Sequence, residues 1–170
     1  MQRLMTFTAL EDYFQSLASK HLEIKDFCGT SKTELANKIG SHNGIETPIL
    51  ILFSVSSALS GNEQRTFNTR EIAFAVVYEM NDFNDIEKVK ENKTLAEGIG
   101  LDILSRINIE SKMPEKEWLY NNFLKETVRY NEFEMQESIG LCGMEFFFSL
   151  KLPEKLTVDK EVWTDGDTFC

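Results

Sequence analysis

Residues 47–80 read TPILILFSVSSALSGNEQRTFNTREIAFAVVYEM, two apolar runs flanking a polar stretch. In an extended chain successive side chains point to opposite faces. Ile49, Ile51, Phe53 and Val55 therefore share one face, and Leu50 and Leu52 the other, which turns polar at Ser54 and Ser56. A second strand over 71–79 sets Ile72, Phe74, Val76 and Tyr78 against Ala73, Ala75 and Val77. The polar residues 60–69 between them predict an antiparallel hairpin with a long tip. The small-residue face is expected beneath a close-packed helix, and the large-residue face beneath other parts of the chain or another subunit.

Elsewhere the apolar spacing is mostly helical. Thr8-Ala-Leu-Glu11 has capping-box spacing and is followed by Leu10, Phe14 and Leu17, which predicts a helix over 9–20. Residues 22–28 are ambiguous, a short extended piece at most. Ser31 or Thr33 caps a short helix through Ile39, and Gly40 closes it. Asn84 and Glu87 open a long helix over 85–108 with a stripe of Ile86, Val89, Ala96, Ile99, Ile103, Leu104 and Ile107. Gly98 and Gly100 cost about 1 kcal/mol each inside a helix, so they are expected where that helix crosses Ala73 and Ala75. A third strand is expected over 124–133 and a fourth from Met144 to Leu150, ended by Pro153, with residues 137–143 as the turn between them. The order predicts one α+β domain over 1–156: a four-stranded, mostly antiparallel sheet with helices packed on one face. Residues 157–170 form an acidic tail, expected to be loose or to dock on a partner.

Composition narrows the function classes. A chain of 170 residues with 42% apolar and 27% charged residues is long enough to bury a core. Its net charge of −10 repels phosphate backbones, and its lysines and arginines are scattered, so nucleic-acid binding is not expected. No apolar run approaches the ~20 residues of a membrane helix, and the first residues lack a signal-peptide core. Three cysteines without Cys-x-x-Cys spacing predict reduced thiols in a cytoplasmic setting.

The chemistry-bearing residues are few. Cys142 lies in Gly140-Leu-Cys-Gly143, and a nucleophilic thiol needs a base that only His21 or His42 offers; the spacing favours a packed small residue. Asn81-Asp-Phe-Asn-Asp85 gathers oxygen ligands, but Ile86 and Asn92 occupy the sixth and twelfth places where a calcium loop needs glycine and glutamate. A turn leading into a helix is the better reading. Glu132, Glu134 and Glu137 read as an acidic strand end that keeps an edge soluble. Trp118, Tyr120 and Phe123 read as packing at the start of the third strand rather than as an exposed aromatic patch. No catalytic residue, metal site, cofactor or small-molecule substrate is expected.

The order of elements resembles the tail terminator, or tail completion, proteins of Mu-like and other long-tailed phages and their prophage relatives. The resemblance covers residues 5–153. It lies in the N-terminal helix, the strand opened by Pro48, the long helix with Ala96, Gly98 and Gly100, and the closing VRYNEFEMQESIGLCGMEFFFSL. It implies a non-enzymatic subunit that forms a homo-oligomeric ring, commonly a hexamer, on the end of the tail tube and faces the head connector. The protein would then assemble in the cytoplasm into the virion tail. Within that reading Glu63, Arg65, Phe67 and Arg70 of the loop are the interface candidates, touching a neighbouring subunit or the tail tube. The alternatives are an intracellular binding or regulatory module that uses its sheet surface, and an enzyme built on the Cys142 thiol.

Overall fold

The computed structural model describes residues 5–40, 45–62, 65–135, 140–158 and 160–165. Its elements are α1 (Phe7–Lys20), β1 (Asp26–Cys28), α2 (Lys32–Gly40), β2 (Ile49–Gly61), β3 (Thr66–Met80), α3 (Ile86–Glu110), β4 (Phe123–Met135) and β5 (Gly140–Glu154). The helix starts follow capping chemistry. The Thr6 hydroxyl, not Thr8, accepts from the Ala9 amide at 3.1 Å, so α1 begins two residues before the predicted start. Asp85 accepts from the Lys88 amide at 3.0 Å, and Ser31 from the Glu34 amide at 3.2 Å. Among the described residues no helix is long and apolar enough to cross a membrane.

The strands form one open mixed sheet in the order β1-β2-β3-β5-β4. Four strands were expected, and the fifth is β1. It runs parallel to β2 over only three pairs, from Asp26 with Ile49 to Cys28 with Ile51. A three-residue strand carries no readable period, and its place is fixed from outside, by pairing and by the Lys25 amide donating to Pro48 O at 2.9 Å. The other pairings are antiparallel, and β3 with β5 is the longest, from Thr66 with Glu154 to Met80 with Gly140. Pro153 does not end β5, since it still pairs with Phe67. Of the expected turn, residues 136–139 lie outside the described residues, while residues 140–143 belong to β5. The polar tip also shrinks, because β2 and β3 continue to Gly61 and Thr66.

The main core lies on the large-residue face. Leu10, Phe14 and Leu17 of α1 and Ala96, Ile99, Ile103 and Ile107 of α3 bury against Leu50, Leu52, Ile72, Phe74, Val76, Phe146 and Phe148. The expectation that the long helix would sit on the alanine face is therefore wrong, while the large-residue face is covered from within the chain, as expected. Phe74 and Phe146 stack at 5.0 Å, and α3 approaches them through Gly100, where an added Cβ would fall inside the Phe146 ring. Gly98 meets nothing within 4 Å of its Cβ position and faces open space. Only one of the two helix glycines is thus a packing glycine, and its partner is a phenylalanine of β5, not the alanines of β3.

Helices do not all pack on one face either. Cys28, Ile45, Ile49, Ile51, Ala75, Val77 and Leu141 form a second cluster on the alanine face, with Leu35 of α2, Phe53 and Phe133 against it. The small side chains of β3 make room there for Phe53 and Phe133, whose rings lie 5.3 Å apart.

One polar cluster ties α1 to the end of α3. The buried Glu110 carboxylate accepts from Tyr13 Oη at 3.0 Å and Arg106 Nε at 2.8 Å, with Lys116 Nζ at 3.7 Å. Trp118 packs edge-on against Tyr13 at 5.1 Å, and Phe123 against Phe148 at 5.5 Å, which places both rings in the packing rather than in an exposed patch. Tyr120 is exposed.

Candidate interface on the outer half of the hairpin

β1 covers β2 only at residues 49–51. From Leu52 to Gly61 the other side of β2 has no strand neighbour among the described residues. A bulge at Phe53 resets the register, after which Ser54 pairs with Ala73 and the ladder runs unbroken to Gly61 with Thr66. Residues 54–61 read SVSSALSG and carry no charge. Val55, Ser57 and Leu59 lie on the face that bears α1 and α3, and Ser54, Ser56, Ala58 and Ser60 on the other. All eight are exposed except the half-buried Val55, and Leu59 is 56% exposed.

The opposite edge, β4, is defended. Its register slips between Leu124 and Arg129, and the Thr127 hydroxyl fills the gap by accepting from the Ser149 amide at 2.8 Å and donating to Leu124 O at 2.7 Å. Lys125, Glu126, Arg129, Glu132 and Glu134 stud it with charge. Bulges and charges are the usual devices that stop an edge strand from pairing with another chain. The outer half of β2 has neither.

The four interface candidates from the sequence do not form one patch. Glu63 lies outside the described residues. Arg65 is exposed in the tip, where the Asn62 amide donates to Arg65 O and the Arg65 amide to Asn62 Oδ1, both at 2.9 Å. Gly61, at φ +128°, makes the bend before it. Phe67 is half-buried, opposite Ser60 and Pro153, with Lys151 Nζ 4.7 Å from its ring centroid. Its own sheet covers it, at a cation–π distance worth ~0.5–1 kcal/mol. Arg70 lies on the other face and donates from Nη2 to Met5 O at 2.9 Å, pinning the residue before the Thr6 cap of α1. The free β2 edge was the residue set missed. Its signal was in the sequence, because no charged residue occurs between Glu46 and Glu63.

The thiol chemistry is walled in. Cys142 is fully buried, with the Asn92 amide group donating at 3.6 Å to its Sγ and to Met80 Sδ. Burial pushes its pKa up, against the opposing influence of Asn92. His21 sits 3.8 Å from Asp102 of α3, about 15 Å along the helix from Asn92 at 1.5 Å per residue. His42 lies outside the described residues. Burial pushes the Cys28 thiol up as well, to about 11.

The acidic candidates have structural partners. Lys93 Nζ of α3 reaches Glu132 at 2.7 Å and Glu134 at 2.6 Å, clamping β4 to the helix, and Glu137 lies outside the described residues. Asp82 accepts from the Asn84 amide at 2.8 Å, and Asp85 caps α3, so 81–85 is a turn into a helix. Among the described residues no three His, Cys, Asp or Glu gather as a metal set. A cleft of about 490 Å³ lies between α1, β1 and α2, lined by Glu11, Asp12, Asp26, Glu34 and Lys38 among others. Lys38 is paired with Asp26 at 2.6 Å, and Glu11 accepts from the Thr30 amide at 3.1 Å. A scan against protein-family models finds no match, and a search of curated proteins finds none either.

Proposed function

We propose that this chain is a structural assembly protein of a phage or prophage tail, a subunit that self-associates as a ring, caps the tail tube and meets the head connector. In this reading it works without catalysis, cofactor or nucleic acid. The observation that carries it is the free edge of β2: an uncharged, regular strand beside which the opposite edge is bulged and charged. An assembly subunit must leave one edge competent to pair while blocking unwanted pairing elsewhere. The burial of Cys142 weighs against the thiol-enzyme alternative.

The alternative is a binding or regulatory module that uses its sheet surface; in the polar cleft beside α1, Lys38 pairs with Asp26 and Glu11 accepts from the Thr30 amide. Deleting the gene from the phage or prophage that carries it separates the two. The expected result is unjoined heads and tails of uncontrolled length in electron micrographs, restored by the gene in trans. Normal joined particles after deletion would overturn the proposal.

A further inference from the structure

The structure leaves a second surface apolar and exposed, the segment after β5. Leu156 is 64% exposed, Val158 52%, and Val162 and Trp163 are more than half exposed. Residues 155–158 belong to no strand. We propose that residues 155–158 of one copy add as a strand to the free β2 edge of the next copy, over residues 54–61. The inference rests on the ring reading and names its contact.

Three observations choose this occupant. The first is pattern. In a strand, Leu156 and Val158 project to one face and Thr157 to the other. The free edge has the same division, with Val55 and Leu59 on the helix-bearing face and only serines and Ala58 on the other. Leu156 and Val158 would cover the exposed Leu59, and Thr157 would lie among the small polar side chains.

The second is reach. β5 ends at Glu154, opposite Thr66 at the tip end of the sheet. A strand added on the free side of β2 would lie three strand spacings from β5, about 14 Å. Four residues span at most ~14 Å, so in its own chain the segment would be spent crossing the sheet end, with no length left to run along the edge. A neighbouring copy has no such constraint.

The third is symmetry. An edge pairing with its own kind makes a two-fold contact and stops at a dimer. A closed ring of higher order needs two different surfaces, each meeting the other on the next copy. The uncharged edge and the apolar segment are two such surfaces, and neither brings like charges together in a protein of net charge −10. Main-chain hydrogen bonds would supply the attraction and the alternating pockets the register, as in other strand additions.

Photo-crosslinking tests this in the full chain. A photoreactive phenylalanine analogue replaces the exposed Ala58, in a mixture of isotopically light and heavy protein. The cross-links are read by mass spectrometry, both from concentrated purified protein and from cells assembling tails. The expected product joins residue 58 of one copy to residues 155–158 of another. Leu156→Asp with Val158→Asp should remove that product without moving the urea midpoint. A cross-link within one copy, one from edge to edge, or none to 155–158 in either setting would overturn the inference. Gene deletion reports on the ring reading independently, so edge-to-edge cross-links with unjoined particles on deletion would sink this contact and leave that reading standing.

Discussion

The two ends of the β2–β3 hairpin share one ladder and almost nothing else. At the base, Ile49 to Leu52 and Ile72 to Val77 are buried on both faces, under α1 and α3 on one side and the Leu35–Phe53–Phe133 cluster on the other. In the outer half, β2 is exposed on both faces and along one edge, and its partner β3 is only half-buried. Burial of apolar surface is the main favourable contribution to folding, so the base holds the fold together and the outer half adds little. The outer half is therefore free to be shaped by what it meets rather than by what it packs on.

The largest expected effect lies in the base. Phe74→Ala removes a buried ring stacked on Phe146 and should destabilise by about 3–5 kcal/mol. Leu59→Ala, on the same two strands, should cost under ~0.5 kcal/mol. Urea midpoints of both variants check this, and comparable losses would erase the division. The helix over the base gives a finer contrast. Gly100→Ala forces a methyl into Phe146 and should cost about 1–3 kcal/mol, whereas Gly98→Ala, in open space, should stabilise by up to ~1 kcal/mol. If both shift the midpoint the same way, α3 does not meet the sheet as described.

The smallest effect is electrostatic. Burial alone would raise the Glu110 pKa, but hydrogen bonds from Arg106 and Tyr13 and the charges of Lys116 and Arg106 together hold it below the ordinary 4.5. A carboxyl lowered by folding contributes its full stability above 4.5 and loses it as pH falls through the folded value. Glu110→Gln should therefore cost stability at neutral pH, and the gap to the parent should narrow in acid. Urea midpoints at pH 7 and pH 3 read the difference, and a gap that widens in acid would contradict the assigned cluster.

Where the chain declares a period, the sequence and structure agree closely: the aliphatic alternation from Ile49, the stripe of α3, and Met144 to Leu150 of β5. Three features were hidden for physical reasons. β1 is too short to show a period, and its pairing is set by residues more than twenty positions away. The outer strands resemble loop in the sequence because Thr66-Phe-Asn-Thr69 is polar on one face and carries a single large apolar residue, too little to show a strand period. Side-chain size points a helix to the small face of β3, but α1 and α3 take the larger apolar face, where more surface is removed from water, and only α2 reaches the other. Among the interface candidates, Arg65, Phe67 and Arg70 stand out in the sequence as unusual residues of a polar stretch, while the open edge is marked by a missing residue type, charge.

The position of β5 has a consequence for the newborn chain. β5 lies between β3 and β4 in the sheet, yet among the described residues it is the last strand to be made. Until residues 140–154 leave the ribosome, Ile72, Phe74 and Val76 lack their partners Phe148, Phe146 and Met144, and Gly100 of α3 lacks the ring it was shaped to meet. The growing chain thus carries an unfinished aromatic face from the completion of β3 until β5 emerges, next to the open outer edge of β2. Vectorial translation makes the interval before β5 emerges the time when this protein is most exposed to aggregation, and the time when holding chaperones have most to bind.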